Sequence, residues 1–141
     1  MDFKAFDRSK LDEYSRQAKE LYGNTPEYKE MEEKQKNRTE EEDQLLADRF
    51  MLFFKEAGEM KNTDPASPEA QDLVKRIQEY ITENMYTCSD KILRGLGKMY
   101  SGDGEFTKNI DAYGGEGTAV FVDNAIQIYC DAADDTRVNL P

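Results

Sequence analysis

Apolar residues recur at helical spacing along most of this chain, and no segment alternates apolar and polar residues as a half-buried strand does. Ser9 is a candidate cap for a first helix, with Leu11, Tyr14, Ala18, Leu21 and Tyr22 on one face and Gly23 as its stop. Thr25 and Pro26 open a second, where the missing proline N–H costs nothing; its apolar face is Tyr28, Met31 and little else. Thr39 and Glu42 have capping-box spacing ahead of a third. Its stripe of Leu46, Phe50, Phe53 and Ala57 is widened by Leu45, Met51, Leu52 and Phe54, so it needs partners on more than one side.

After the loop KNTDPA, Ser67 and Pro68 start a fourth helix with Leu73, Ile77, Tyr80, Ile81 and Met85 inward. Ser89 caps a fifth, with Ile92, Leu93, Leu96, Met99 and Tyr100 on its inner side. EFTKNID reads as a short helix at most, AYGGEG as a break, and TAVFVDNAIQIYCDA as a last helix packing through Phe121, Ala125, Ile128 and Tyr129. The expectation is an all-α domain of about five to seven helices. Residues 1–38 form a hairpin too polar to dock firmly, residues 39–132 a core bundle, and residues 133–141 a frayed tail.

Composition narrows the chemistry. The chain has 141 residues, enough for one domain, and a net charge of −11, which repels nucleic-acid phosphate and anionic membrane surfaces. No apolar run approaches the roughly 20 residues of a membrane span, and the N-terminus lacks the apolar core of a signal peptide. Two distant cysteines, Cys88 and Cys130, fit a reducing cytoplasm; a bridge between them is left open by their spacing. There is no histidine, which removes the commonest general base, metal ligand and proximal haem ligand. No CxxC or phosphate loop is present. The acidic pairs read as solvated, and nothing points to an enzyme, a metal or a cofactor.

The eight tyrosines and seven phenylalanines are the informative excess. They suit either ordinary core and boundary packing or a cleft for a flat, partly apolar ligand. In YTCSDKILRGLGKMY, Gly95 and Gly97 each cost about 1 kcal/mol relative to alanine in a helix. They serve close helix approach, room for a ligand, or both. Cys88, just before the Ser89 cap, is either a small buried hydrophobe or a thiol facing a pocket, where the helix N-terminus favours the thiolate.

The stretch 86–111 resembles the signature of the TipAS domain, the antibiotic-recognition domain of certain MerR-type transcriptional regulators. The matching residues are Tyr86, Cys88, Ser89, Arg94 to Gly97, Met99, Tyr100 and Phe106 to Asp111. The front segment EYSRQAKELYGNTPEYKEMEEKQKN and the run SPEAQDLVKRIQEYI are similar as well. The resemblance implies a globin-like helical fold without haem, a cleft for thiopeptides or other bulky drugs, and front helices that are mobile when empty and close over the ligand. It implies that Cys88 meets the dehydroalanine of a thiopeptide and adds to it.

The sequence departs from the family pattern at Tyr22, where tryptophan is usual, and at Ile92 and Leu93, where Met-His is usual; Cys88 therefore has no histidine beside it. Candidate ligand contacts are Tyr14, Tyr22 and Tyr28 from the front hairpin and Phe53, Tyr86, Cys88, Tyr100, Phe106, Asp111 and Tyr113 from the core. The aromatics would stack and Asp111 would accept hydrogen bonds. No DNA-reading module occurs in these residues, so DNA would be met only through a separate MerR-type N-terminal domain, with any dimer belonging to that full-length regulator. The alternatives are a stand-alone protein that sequesters its drug and a helical module whose acidic face meets a basic protein.

Overall fold

The computed structural model describes Arg16, Glu20, Leu21 and residues 23–138, with side chains through Ala133. Six long helices follow in order among the described residues: α1 (Pro26–Gln35), α2 (Glu40–Met60), α3 (Pro68–Asn84), α4 (Asp90–Tyr100), α5 (Glu105–Gly114) and α6 (Thr118–Val138). No strand occurs among them, as the periodicity requires. The first predicted helix, with Ser9, Tyr14 and Tyr22, lies outside the described residues apart from helical backbone at Arg16, Glu20 and Leu21.

Local chemistry starts four of the helices as expected. Thr25 Oγ1 accepts from Tyr28 N at 3.2 Å, Ser67 Oγ from Ala70 N at 3.2 Å and Ser89 Oγ from Ile92 N at 3.2 Å. Thr39 and Glu42 close a full capping box. Each cap satisfies an N–H that the first helical turn leaves without a partner.

The core lies among α2 to α6. Phe50, Met51, Phe54 and Ala57 face Ala70, Leu73, Val74, Ile77 and Ile81, with Leu93, Tyr100, Ile110, Val122 and Ile126 closing the other sides. Aromatic rings run through it as a chain. Phe50 meets Phe54 at 5.4 Å between centroids, Phe54 meets Tyr100 at 5.3 Å, and Tyr100 stacks on Phe106 at 5.2 Å.

Glycine sets two of the helix crossings. A Cβ on Gly58 would overlap the backbone of Gly114, so α2 and α5 touch main chain to main chain. On α4, a Cβ on Gly97 would come within 2.9 Å of Asp123 Oδ1 and 3.1 Å of Gln127 Nε2, whereas Gly95 has open space beside it. The room at Gly97 therefore serves a polar seam between α4 and α6. Arg94 donates to Gln127 Oε1 (3.0 Å) and Asp131 Oδ1 (2.5 Å). Gln127 donates back to Arg94 O (3.1 Å) and to Asp123 Oδ1 (2.9 Å), and Ser101 donates to Asp123 Oδ2 (2.7 Å).

Three expectations are corrected. Met99, placed on the inner side of its helix, is 47% exposed, because Gly97 and Tyr100 take the buried positions. The EFTKNID segment is a ten-residue helix that continues through Tyr113, since Gly114 must reach Gly58. The last helix runs to Val138 rather than ending near 132.

Candidate functional site

α1 stands apart from the core in how it is held. Tyr28 is its one buried residue. Its other anchors are polar. The Glu30 carboxylate accepts from Thr87 N at 2.8 Å and from Thr87 Oγ1 at 3.0 Å. Lys34 Nζ donates to Thr82 O at 2.6 Å and lies 3.4 Å from Glu30. The hydrogen bonds from Thr87, its backbone N–H foremost, hold the Glu30 carboxyl below the usual carboxylate range, with Lys34 adding to the effect. The two bonds from Thr87 are exposed and are exchanged with water at little cost, so α1 is held more by polar ties than by packing.

The latch closes on the rim of an open hollow of about 220 Å³, lined by Gln78, Glu79, Thr82 and Glu83 along one side of α3 and by Cys88. A hydrogen-bonded frame shapes its floor. Gln78 Nε2 donates to Cys88 O at 2.9 Å and to Asp90 Oδ1 at 2.9 Å, and Gln78 Oε1 accepts from Tyr129 Oη at 3.2 Å. Cys88 N donates to Thr82 Oγ1 at 3.1 Å. The turn from α3 into α4 is thus pinned from both sides, which fixes where the Cys88 backbone sits.

The thiol itself is not the activated group that a helix N-terminus suggests. Cys88 is 4% exposed, and burial pushes its pKa up to about 12, with Cys130 and Asp90 adding to the rise. Loss of water outweighs the partial charge of the α4 N-terminus. Cys88 and Cys130 are both free thiols, which settles the pairing the spacing left open.

Of the eight sequence-derived contacts among the described residues, only Cys88 lines the hollow. Tyr100 is 1% exposed and sits between Phe54 and Phe106, with its phenol pushed well above its usual pKa by burial. Phe53 and Phe106 pack on the core, Phe53 edge-on to Tyr80 at 5.5 Å. Asp111 is a structural cap: its Oδ1 accepts from Ala119 N at 2.9 Å at the start of α6. Tyr86 and Tyr113 are half-buried against the core, Tyr28 belongs to α1, and Tyr14 and Tyr22 lie outside the described residues.

Sequence reasoning missed Gln78, Glu79, Thr82 and Glu83, a polar stripe at spacing i, i+4 beside the inner face of α3. It also missed Glu30, Lys34 and Thr87, whose partners are about 50 residues away in the chain, where no local pattern reports them. Among the described residues there is no cluster of three or more metal-ligating side chains, and no helix is long and apolar enough to cross a membrane.

An all-α body whose α1 is tied to the α3–α4 turn beside a shallow hollow is the class that the fold and the site define. The chain belongs to the TipAS antibiotic-recognition domain family, whose pattern it matches over residues 14–129. It is 34% identical over 129 residues to the HTH-type transcriptional activator mta of Bacillus subtilis, covering 88% of this chain and 48% of that protein. It is 32% identical over 130 residues to the HTH-type transcriptional activator TipA of Streptomyces coelicolor, covering 88% and 49%. The chain therefore spans about half the length of these relatives. Its fold is similar to TipAS of Streptomyces lividans, solved with nosiheptide as part of a thiopeptide antibiotic multidrug resistance system. The TM-score is 0.74 and the identity 29%, over 93% of this chain and 89% of that one.

Proposed function

We propose that this chain is the drug-binding effector domain of a MerR-type transcriptional activator, and that its front helices close over a bulky antibiotic such as a thiopeptide. The observation that carries this reading is the mode of attachment of α1. The helix meets the rim of the hollow through Glu30 and Lys34, bonds that water can replace and a ligand can rearrange. The likeness to TipAS with nosiheptide supports the ligand class, and the likeness to TipA and mta supports a role in transcription activation inside the cell. DNA would be met by a partner domain of the helix-turn-helix kind.

The reading is one of binding without catalysis. Cys88 holds its proton at neutral pH, so capture of the ligand is non-covalent unless binding opens the thiol to water. Ligand closure would bring residues of the front segment, Tyr28 among them, against the α3 side of the hollow. A heteronuclear NMR titration with nosiheptide tests this. Shifts at Gln78, Thr82, Thr87 and Cys88, together with changes throughout residues 25–36, are expected. A spectrum unchanged at saturating nosiheptide overturns the reading for that ligand class.

A further inference from the structure

The hollow of about 220 Å³ is smaller than the roughly 300–1,000 Å³ of a site that engulfs a drug-sized molecule. The bulky antibiotic proposed above must therefore touch the chain elsewhere as well. α5 carries a second surface suited to it. Phe106, Asn109 and Tyr113 stand three and four residues apart, on one side of the helix, and all three are half-buried. Phe106 stacks on Tyr100 at 5.2 Å between centroids, which makes its end of the strip apolar. The Tyr113 end is polar. Burial first, and then the Asp48 carboxylate of α2, push the Tyr113 phenol above its usual pKa, and Asp48 Oδ1 accepts from Gln44 Nε2 at 2.9 Å. The strip begins one ring away from the Cys88 side of the molecule. Tyr86 and Cys88 lie close enough to the Tyr100 phenol to add to the rise that burial gives it, and Phe106 is the next ring.

Asn109 is the anomaly in this strip. Its Nδ2 is buried and has no hydrogen-bond partner among the described residues. Buried amide donors are nearly always paired, because an unpaired one loses its water without a replacement. Neighbouring polar side chains on α5 show the contrast. Thr107 Oγ1 donates to Tyr100 O at 2.6 Å, and Asp111 Oδ1 accepts from Ala119 N at 2.9 Å. Those two groups hold the fold together; Asn109 Nδ2 does not. The residue is only half-buried, and the last bond of an asparagine side chain turns through broad minima. Its amide nitrogen can therefore swing toward the surface between the two rings.

We infer that Asn109 is a specificity-determining contact of the ligand site, donating a hydrogen bond to a carbonyl oxygen or heteroaromatic nitrogen of a flat, peptide-like ligand that lies along Phe106 and Tyr113. This inference rests on the reading of the chain as an antibiotic-binding domain. It adds a contact surface on α5 and the acceptor that the ligand must carry. A ligand with that acceptor supplies the pairing that Nδ2 lacks within the fold, and one without it leaves the donor unpaired. The difference is worth roughly tenfold in affinity. Because the fold draws no hydrogen bond from Nδ2, removing it leaves folding intact.

The test is a titration of the full chain and of its N109A and N109D variants with nosiheptide, followed by calorimetry and heteronuclear NMR, with thermal melts of the three proteins alone. The side-chain amide signals of Asn109, assigned by their absence from N109D, are expected to shift downfield as nosiheptide binds. N109D keeps the shape of asparagine without its N–H donors. Both variants are expected to bind roughly tenfold more weakly, and neither is expected to melt more than about 2 °C below the parent. Parent affinity in both variants, or side-chain amide signals that nosiheptide leaves in place, overturns this inference alone and leaves the receptor reading standing. A melting loss well beyond that margin in both variants makes Asn109 a structural residue and also overturns it. No binding of nosiheptide by the parent chain overturns both this inference and the reading beneath it.

Discussion

Thr87 gives Glu30 both of its donors, the backbone N–H at 2.8 Å and the hydroxyl at 3.0 Å, and so ties α1 to the turn before α4 across 57 residues of chain. The pair of bonds is strongest while Glu30 is ionised, because a protonated carboxyl is a poorer acceptor.

Acid should therefore release α1. The docked carboxyl titrates below its ordinary value of 4.5, so its contribution to docking is complete above that pH and is lost as pH falls through the lowered pKa. The protection of the Thr87 amide and of the α1 amides, measured against the intrinsic exchange rate at each pH, should fall in that window. E30Q should show the faster exchange at neutral pH and no further acid step, while the melting temperature set by the α2–α6 core stays nearly constant. An α1 protected equally at pH 3 and pH 7 would contradict the latch.

Cys88 should be a slow thiol. With its pKa pushed up to about 12, iodoacetamide at pH 7.5 should modify it far more slowly than a free cysteine, and the rate should rise steeply above pH 9. The linkage has a definite sign: stability from the neutral buried thiol is present below 9.0 and is lost as pH rises from 9.0 toward 12. C88A should remove its share of that alkaline loss, leaving the share of the raised tyrosines. Mass spectrometry of the nosiheptide mixture at neutral pH should show the unmodified chain.

The glycines should respond to alanine with opposite signs. At Gly58 the new methyl overlaps Gly114 backbone, which cannot move aside, so G58A should cost at least the ~1–3 kcal/mol typical of overpacking. At Gly95 nothing stands within 4 Å, so G95A should stabilise by about 1 kcal/mol through helix propensity. Thermal melts of the two variants against the parent decide it. A neutral G58A would mean that α2 and α5 do not cross at this contact.

Tyr100 should behave as core. It is 1% exposed within the Phe54–Tyr100–Phe106 chain of rings. Y100A should destabilise by about 3–5 kcal/mol, the range for large aromatic truncations, with loss of core dispersion in the spectrum. A variant that keeps its stability and loses only ligand affinity would return Tyr100 to the binding surface.

The helix starts were legible because a cap is local: Thr25, Thr39, Ser67 and Ser89 each bond an N–H three residues on. The aromatic excess was legible as well, but its use was not. Tyr100 and Phe106 have the composition of a cleft wall and instead fill the core, a matter of which helix faces meet. The Arg-Gly-Leu-Gly run was visible as unusual. That its second glycine accommodates Asp123 and Gln127, while its first borders open space, depends on α6 lying across α4.

Helix content, helix beginnings, the lack of histidine chemistry and the polarity of the front segment follow from residue type and short spacing, which act within a turn or two of chain. The depth of each ring, the silencing of Cys88, the Gly58–Gly114 crossing and the Glu30–Thr87 tie were decided by the tertiary structure. They depend on which groups lose water and which distant backbones touch, and those are set only when the helices come together.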